Sequence, residues 1–201
     1  MKTNMTTNHK REIELFHYTG LPEQEETLEE ALYQYNQQRN TGRISPELVL
    51  NLSRDMFTGF VIASEPEQND LIAGLLVYET FTIQQLDEFE SRLRIVETSI
   101  LDENQRQFRQ SLKSLDVFRT QHPSAVFPYI TAMETFDHRQ GIGKAIMETL
   151  QADPAISGIF LQSFASSRKF YEKTGFQNVG LYCGSKNSPY MAWLKNKPST
   201  S

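Results

Sequence analysis

Hydrophobic and polar residues alternate along "EIELFHY" (Glu12–Tyr18), with Ile13, Leu15 and His17 on one side and Glu12, Glu14 and Phe16 on the other. A period of two predicts a strand. The period then changes. In "LPEQEETLEEALYQYN", Leu28, Ala31, Leu32 and Tyr35 share a helical face, Pro22 suits a helix start, and acids crowd the first turn, where the helix dipole favours them. A second helix is expected at "SPELVLNLSRDMF", with Ser45 as N-cap and Pro46 at the first helical position. Two short apolar runs follow, "GFVIASE" and "LIAGLLVYETF", joined by "PEQND". They predict an antiparallel hairpin.

Residues 82–121 read differently. Leu86, Phe89, Leu93, Val96 and Ile100 recur at steps of three and four, and Phe108, Leu112, Leu115 and Phe118 continue helical spacing after "DENQ". The first part carries Asp87, Glu88, Glu90 and Glu97, the second Arg106, Arg109, Lys113 and Arg119. Opposite charges suit two helices packed as a hairpin, though one long helix fits the same spacing. A structural elaboration or dimer surface is the plainer reading, a substrate lid the sharper one.

Beyond this insert the order is strand ("AVFPYITAMETF"), helix, strand ("GIFLQSF"), helix ("SSRKFYEKTG"), strand ("FQNVGLYC") and strand ("PYMAWLK"). The whole predicts an α/β protein: a mixed, mostly antiparallel sheet flanked by helices, with a helical insertion between the third and fourth predicted strands. One domain is expected over residues 11–198, after a disordered segment at 1–10.

Composition narrows the function classes. The chain has 201 residues, a formal net charge of −5 and one cysteine, Cys183. An internal disulfide and a Cys-rich zinc site are excluded, and the four histidines lack metal-ligand spacing. The acidic balance argues against a nucleic-acid or anionic-membrane binder. "MKTNMTTNHK" has no apolar core of a signal peptide, and no apolar run is long enough to span a bilayer. A soluble, cytoplasmic protein that uses no metal is expected.

The stretch with the sharpest chemistry is "DHRQGIGKAIMETL" (Asp137–Leu150). Strand, glycines, helix is the context of an anion cradle, because the first amides of a helix have no intrahelical acceptor and the dipole adds positive potential there. It is neither a Walker A loop nor a dinucleotide fingerprint, whose third glycine would fall on Ile146. Alone it fits a structural turn equally well.

About thirty residues on stands "RKFYEKTGF" (Arg168–Phe176). With this second motif the sequence resembles the GNAT family, the GCN5-related N-acetyltransferases. Their acetyl-coenzyme A loop reads [QR]xxGx[GA], which "QGIGKA" fits through Gln140, Gly143 and Ala145. In the register that aligns Gly141 and Gly143, His138 takes the Gln/Arg position. Phe170, Tyr171, Glu172, Lys173, Gly175 and Phe176 match the later helix; Phe164 and Ser167 stand where the family commonly has Asn and Ala.

The resemblance implies acetyl transfer from acetyl-CoA to a primary amine. It implies a strand bulge that splays two strands apart for the pantetheine arm, with backbone contacts at Thr131 to Met133. Pyrophosphate would rest on the loop and helix start formed by His138, Arg139, Gln140, Gly141, Ile142, Gly143, Lys144 and Ala145, with Ser167 nearby. Tyr171 matches the tyrosine that donates to the leaving sulfur; a core tyrosine on an amphipathic helix explains the same residue. Glu134 and Glu79 are candidate general bases, or solvated strand-end carboxylates. Lys169 or Lys173 could meet the nucleotide 3′-phosphate. The acidic cluster Glu23, Glu25, Glu26, Glu29 and Glu30 would suit a cationic amine, or simply its own helix dipole. The amine partner is unspecified, a homodimer is possible, and another acyl group would use the same cradle. The rival class is a non-catalytic acyl-CoA-binding module.

Overall fold

A computed structural model describes residues 2–6, 12–18, 59–65, 71–92, 102–135, 141–182 and 188–195. The two helices expected between residues 21 and 57 and the turn at 66–70 lie outside these residues, as do Cys183 and the loop residues 136–140. Strands β1 (Lys2–Thr6), β2 (Glu12–Tyr18), β3 (Gly59–Glu65) and β4 (Leu71–Thr80) are followed by helices α1 (Ile83–Arg92) and α2 (Glu103–Gln121). Then come β5 (Pro128–Thr135), α3 (Ile142–Ala152), β6 (Gly158–Gln162), α4 (Arg168–Lys173), β7 (Gln177–Tyr182) and β8 (Pro189–Leu194). Among the described residues no helix is long and apolar enough to cross a membrane.

The chain divides into two compact units: residues 1–80 with 131–152, and residues 81–130 with 153–201. In the first, β1 to β4 are successive antiparallel neighbours and β5 follows β4. The alternation read from "EIELFHY" is borne out, with Ile13, Leu15 and His17 all buried. The register aligns His17, Val61 and Leu76 in one row and Leu15, Ala63 and Gly74 in the next, so these side chains share a face. Helix α3 packs on β2, β3 and β4. It buries Ile142, Ala145, Ile146, Met147, Thr149 and Leu150. His17 Nε2 and the Tyr78 hydroxyl share a buried 2.8 Å hydrogen bond, which lets two polar groups sit in an apolar sheet. Gly59 is required beneath them, because a Cβ there would overlap the Tyr78 ring.

One expectation is corrected here. Residues 2–6 are not disordered; "KTNMT" forms β1, in register with β2 from Lys2↔Phe16 to Thr6↔Glu12. An end strand gains its backbone hydrogen bonds from a single neighbour and needs no apolar pattern, so composition hides it.

The second unit carries β6, β8 and β7 in that order, with the first residues of β5 beside β6. β6 and β8 are antiparallel from Gly158↔Leu194 to Gln162↔Tyr190. β5 and β6 run parallel and pair at Tyr129↔Phe160 and Ile130↔Leu161. The insert is two helices. Each begins with a capping box: Thr82 with Gln85 for α1, Asp102 with Gln105 for α2. Ile83 and Leu86 of α1 join Phe108 and Leu112 of α2 in a core with Phe81, Phe127, Phe160, Val179, Ala192 and Leu194. The split charges meet as well. Burial pushes the proton affinity of the Arg109 guanidinium down, and Asp87 on α1 pulls it back up. The insert therefore supplies one wall of this unit's core.

Candidate functional site

In the first unit, a glycine brings three elements close together. A Cβ at Gly74 would stand 2.8 Å from Ile146 Cδ1, 3.1 Å from Ile142 Cγ2 and 3.2 Å from the Glu134 carbonyl oxygen. A side chain here would make Ile146 move and would press on Ile142 and the Glu134 carbonyl, so glycine lets α3 and the end of β5 lie close to β4. The sequence reading passed over Gly74; a lone glycine interrupting "LIAGLLVY" was the available signal. On β5, the Thr131 hydroxyl donates to the Val77 carbonyl at 3.2 Å. Its side chain is thereby committed to β4, and what it can offer a ligand is backbone. Met133 and Glu134 are half-buried further along β5, and Glu79 is half-buried near the end of β4. Burial raises the Glu79 carboxyl above the ordinary glutamate value.

Helix α3 opens as an anion cradle requires. Gly141 has φ of 81°, the left-handed region that favours glycine, and a Cβ placed on it would meet nothing within 4 Å. The first helical bond runs from Ala145 N to Gly141 O at 3.0 Å. The amides of Ile142, Gly143 and Lys144 find no acceptor among the described residues. Lys144 is exposed and turned along the helix toward Glu148, 3.3 Å away. Three amides without an acceptor among the described residues, at a dipole's positive end, fit a phosphate group. His138, Arg139 and Gln140 lie outside the described residues.

In the second unit, "FYEKTGF" closes as a Schellman motif. Phe176 N donates to Tyr171 O at 3.0 Å and Gly175 N to Glu172 O at 3.1 Å, with Gly175 at φ 92°. The apolar contact that accompanies this motif is Phe176 against Tyr171, edge to face at 5.7 Å; Phe170 meets Tyr171 from its other side at 5.2 Å. The short helix thus holds the Tyr171 ring firmly. Tyr171 is 9% exposed. Burial raises its phenol above the ordinary tyrosine value. No hydrogen bond joins its hydroxyl to another described group. The result is a packed, protonated donor with no acceptor among the described residues.

Ser167 caps α4 without a side-chain cap bond; its hydroxyl donates to Phe164 O at 3.2 Å. Phe164 is 68% exposed, although its carbonyl also accepts from Ser167 N and Arg168 N. Glu172 and Lys173 are exposed, and Glu172 pairs with Arg168 at 2.8 Å.

No protein-family model matches the sequence, and no curated protein matches it. Solved structures do. The GNAT domain of S. lividans PAT aligns at a TM-score of 0.54 and 10% identity, over 96% of this chain and 96% of that one. A Lactobacillus plantarum chain assigned as an N-acetyltransferase gives 0.51 and 11%, over 92% of this chain and 99% of that one. Escherichia coli ElaA gives 0.50 and 12%, over 90% and 99%. The fold is that of an acyl-CoA N-acyltransferase: a mixed sheet with flanking helices. It is the GNAT fold, which "QGIGKA" and "FYEKTGF" suggested.

Proposed function

We propose that the protein is an acetyl-CoA-dependent N-acetyltransferase acting on a primary amine. The observation that carries this reading is Tyr171: a phenol ring packed between aromatic neighbours, kept protonated, whose hydroxyl has no partner among the described residues. The ring is buried but the hydroxyl itself is not sealed from solvent, so its proton can be handed to a departing group.

The roles follow from the chemistry. The amides of Ile142, Gly143 and Lys144 hold the coenzyme's pyrophosphate, and Gly141 keeps their approach open. Backbone groups of Thr131 and Met133 orient the acyl-bearing arm. Glu79, whose raised carboxyl is the better matched to take a proton near neutrality, accepts one from the substrate ammonium and so frees the amine lone pair. Glu134 is the alternative base. The neutral amine nitrogen forms a bond to the thioester carbon, the carbon–sulfur bond breaks, Tyr171 gives its proton to the departing thiolate, and the proton shed by the new amide nitrogen passes to solvent, from which the tyrosinate is reprotonated.

Release of free thiol from acetyl-CoA across a panel of primary amines, followed with a thiol reagent, tests the reading. Amine-dependent release supports it. Acetyl-CoA binding by calorimetry without turnover of any amine favours a non-catalytic module, and absence of binding overturns both.

A further inference from the structure

A cavity of about 570 Å³ opens in the second unit, between the start of α2 and β7. This volume lies in the range of small-molecule sites. Its chemistry is unlike that of a coenzyme or amine site. Its apolar lining comes from Phe108 and Leu194, both nearly buried. The wall is amide-rich. Asn104 and Gln177 spend no side-chain hydrogen bond among the described residues. Gln105 uses only its oxygen, accepting from Asp102 N, and Gln107 only its nitrogen, donating to Glu103. The remaining ends, Gln105 Nε2 and Gln107 Oε1, stay open, so the wall offers both donors and acceptors.

Charge is nearly cancelled. Of the described lining residues two are ionic, and each has a partner: Asp102 Oδ1 caps α2 through Gln105 N at 2.8 Å, and Arg168 Nε pairs with Glu172 at 2.8 Å. An anionic or cationic ligand would meet no uncommitted opposite charge.

The aromatic side of the cavity is locked. β7 carries two more residues than β8 between Asn178↔Met191 and Tyr182↔Pro189, with Gly180 at φ 82°. The Asn178 side chain binds both ends of this irregularity. Its oxygen accepts from Gly180 N at 2.7 Å, and its nitrogen donates to the Tyr182 hydroxyl at 3.0 Å. The half-buried Tyr182 ring is thereby held in place as a platform.

We infer that this cavity is a binding site for a neutral, hydroxyl-rich ring, a sugar, set by the fixed Tyr182 ring and the free amides of Asn104 and Gln177. An aromatic face takes the ring's C–H side, and unspent amides match hydroxyls that both give and take hydrogen bonds. The inference does not depend on acetyl transfer.

Calorimetry on the full chain tests it, with D-glucose and N-acetyl-D-glucosamine as probes and glucose 6-phosphate as the charged comparator. At least one neutral sugar should bind in the millimolar range. Gln177→Ala, an exposed position, should weaken that binding about five-fold without moving the thermal midpoint, the loss expected for one hydrogen bond. Tyr182→Ala should weaken it more; if that variant does not fold, Gln177→Ala decides. Failure of both neutral sugars to bind, undiminished binding by Gln177→Ala, or tighter binding of glucose 6-phosphate overturns the proposal.

Discussion

Gly141 and Gly175 hold nearly the same backbone conformation, with φ of 81° and 92°. What surrounds them differs. A Cβ on Gly141 would meet open space, and the three amides after it find no acceptor among the described residues. A Cβ on Gly175 would stand 3.3 Å from Trp193 Cδ1, and the carbonyls before it are closed by the Schellman bonds. One glycine leaves a helix start unfinished; the other finishes a helix end. The contrast separates the two halves of the familiar motif pair. On the proposed reading the first is a place for a ligand, while the second is a packing device that sets the Tyr171 ring among aromatic neighbours.

That comparison can be broken or sharpened by mutation. The largest effect belongs to the residue that the second motif holds. Tyr171→Phe should lower kcat by about two to three orders of magnitude, the scale of a lost proton donor, with acetyl-CoA affinity retained. Gly175→Ala should come next in stability. A side chain in the left-handed region costs about 1–2 kcal/mol, and Trp193 must also give way, which denaturant unfolding would read. Gly141→Ala carries the backbone cost, about 1–2 kcal/mol, without the clash. Its signature should instead be weaker coenzyme A binding by calorimetry, because relaxation of the loop moves the free amides. Equal stability losses with unchanged binding would erase the distinction.

Glu79 gives a pH signature. Its raised carboxyl means that the folded protein holds this proton more tightly than the unfolded chain does. Glu79 therefore favours folding at acid pH, and that contribution is lost as pH rises from the ordinary glutamate value through the raised one. As a base it must be ionised, so kcat/KM should climb through the same interval. Glu79→Gln should flatten that limb, and if Glu134→Gln does so instead, the base is reassigned. The smallest effect is expected at His138. Backbone amides carry the phosphate contact, so His138→Ala should change coenzyme A affinity by less than about two-fold.

Much of this architecture was legible because its signals are local. The alternation of Ile13, Leu15 and His17 and the spacing of Ile142, Ala145, Ile146 and Leu150 each follow from one element burying one face. The second motif was legible because a Schellman closure demands a glycine followed by an apolar residue, and "TGF" supplies both. What was not legible depends on partners distant in sequence. β1 has no pattern of its own, and the placing of β8 between β6 and β7 is a matter of long-range register. The role of Gly74 emerges only when α3 and β5 approach it. The exposure of Phe164 and the freedom of the Tyr171 hydroxyl likewise depend on neighbours that no short window contains.

The central claim is that Tyr171 supplies the proton for a thiolate leaving group in an acyl transfer. Its most direct test is amine-dependent thiol release at saturating acetyl-CoA, compared between wild type and Tyr171→Phe. The account predicts turnover by wild type and its near loss in the variant, whose coenzyme binding and fold persist. Equal turnover by the two proteins would contradict it.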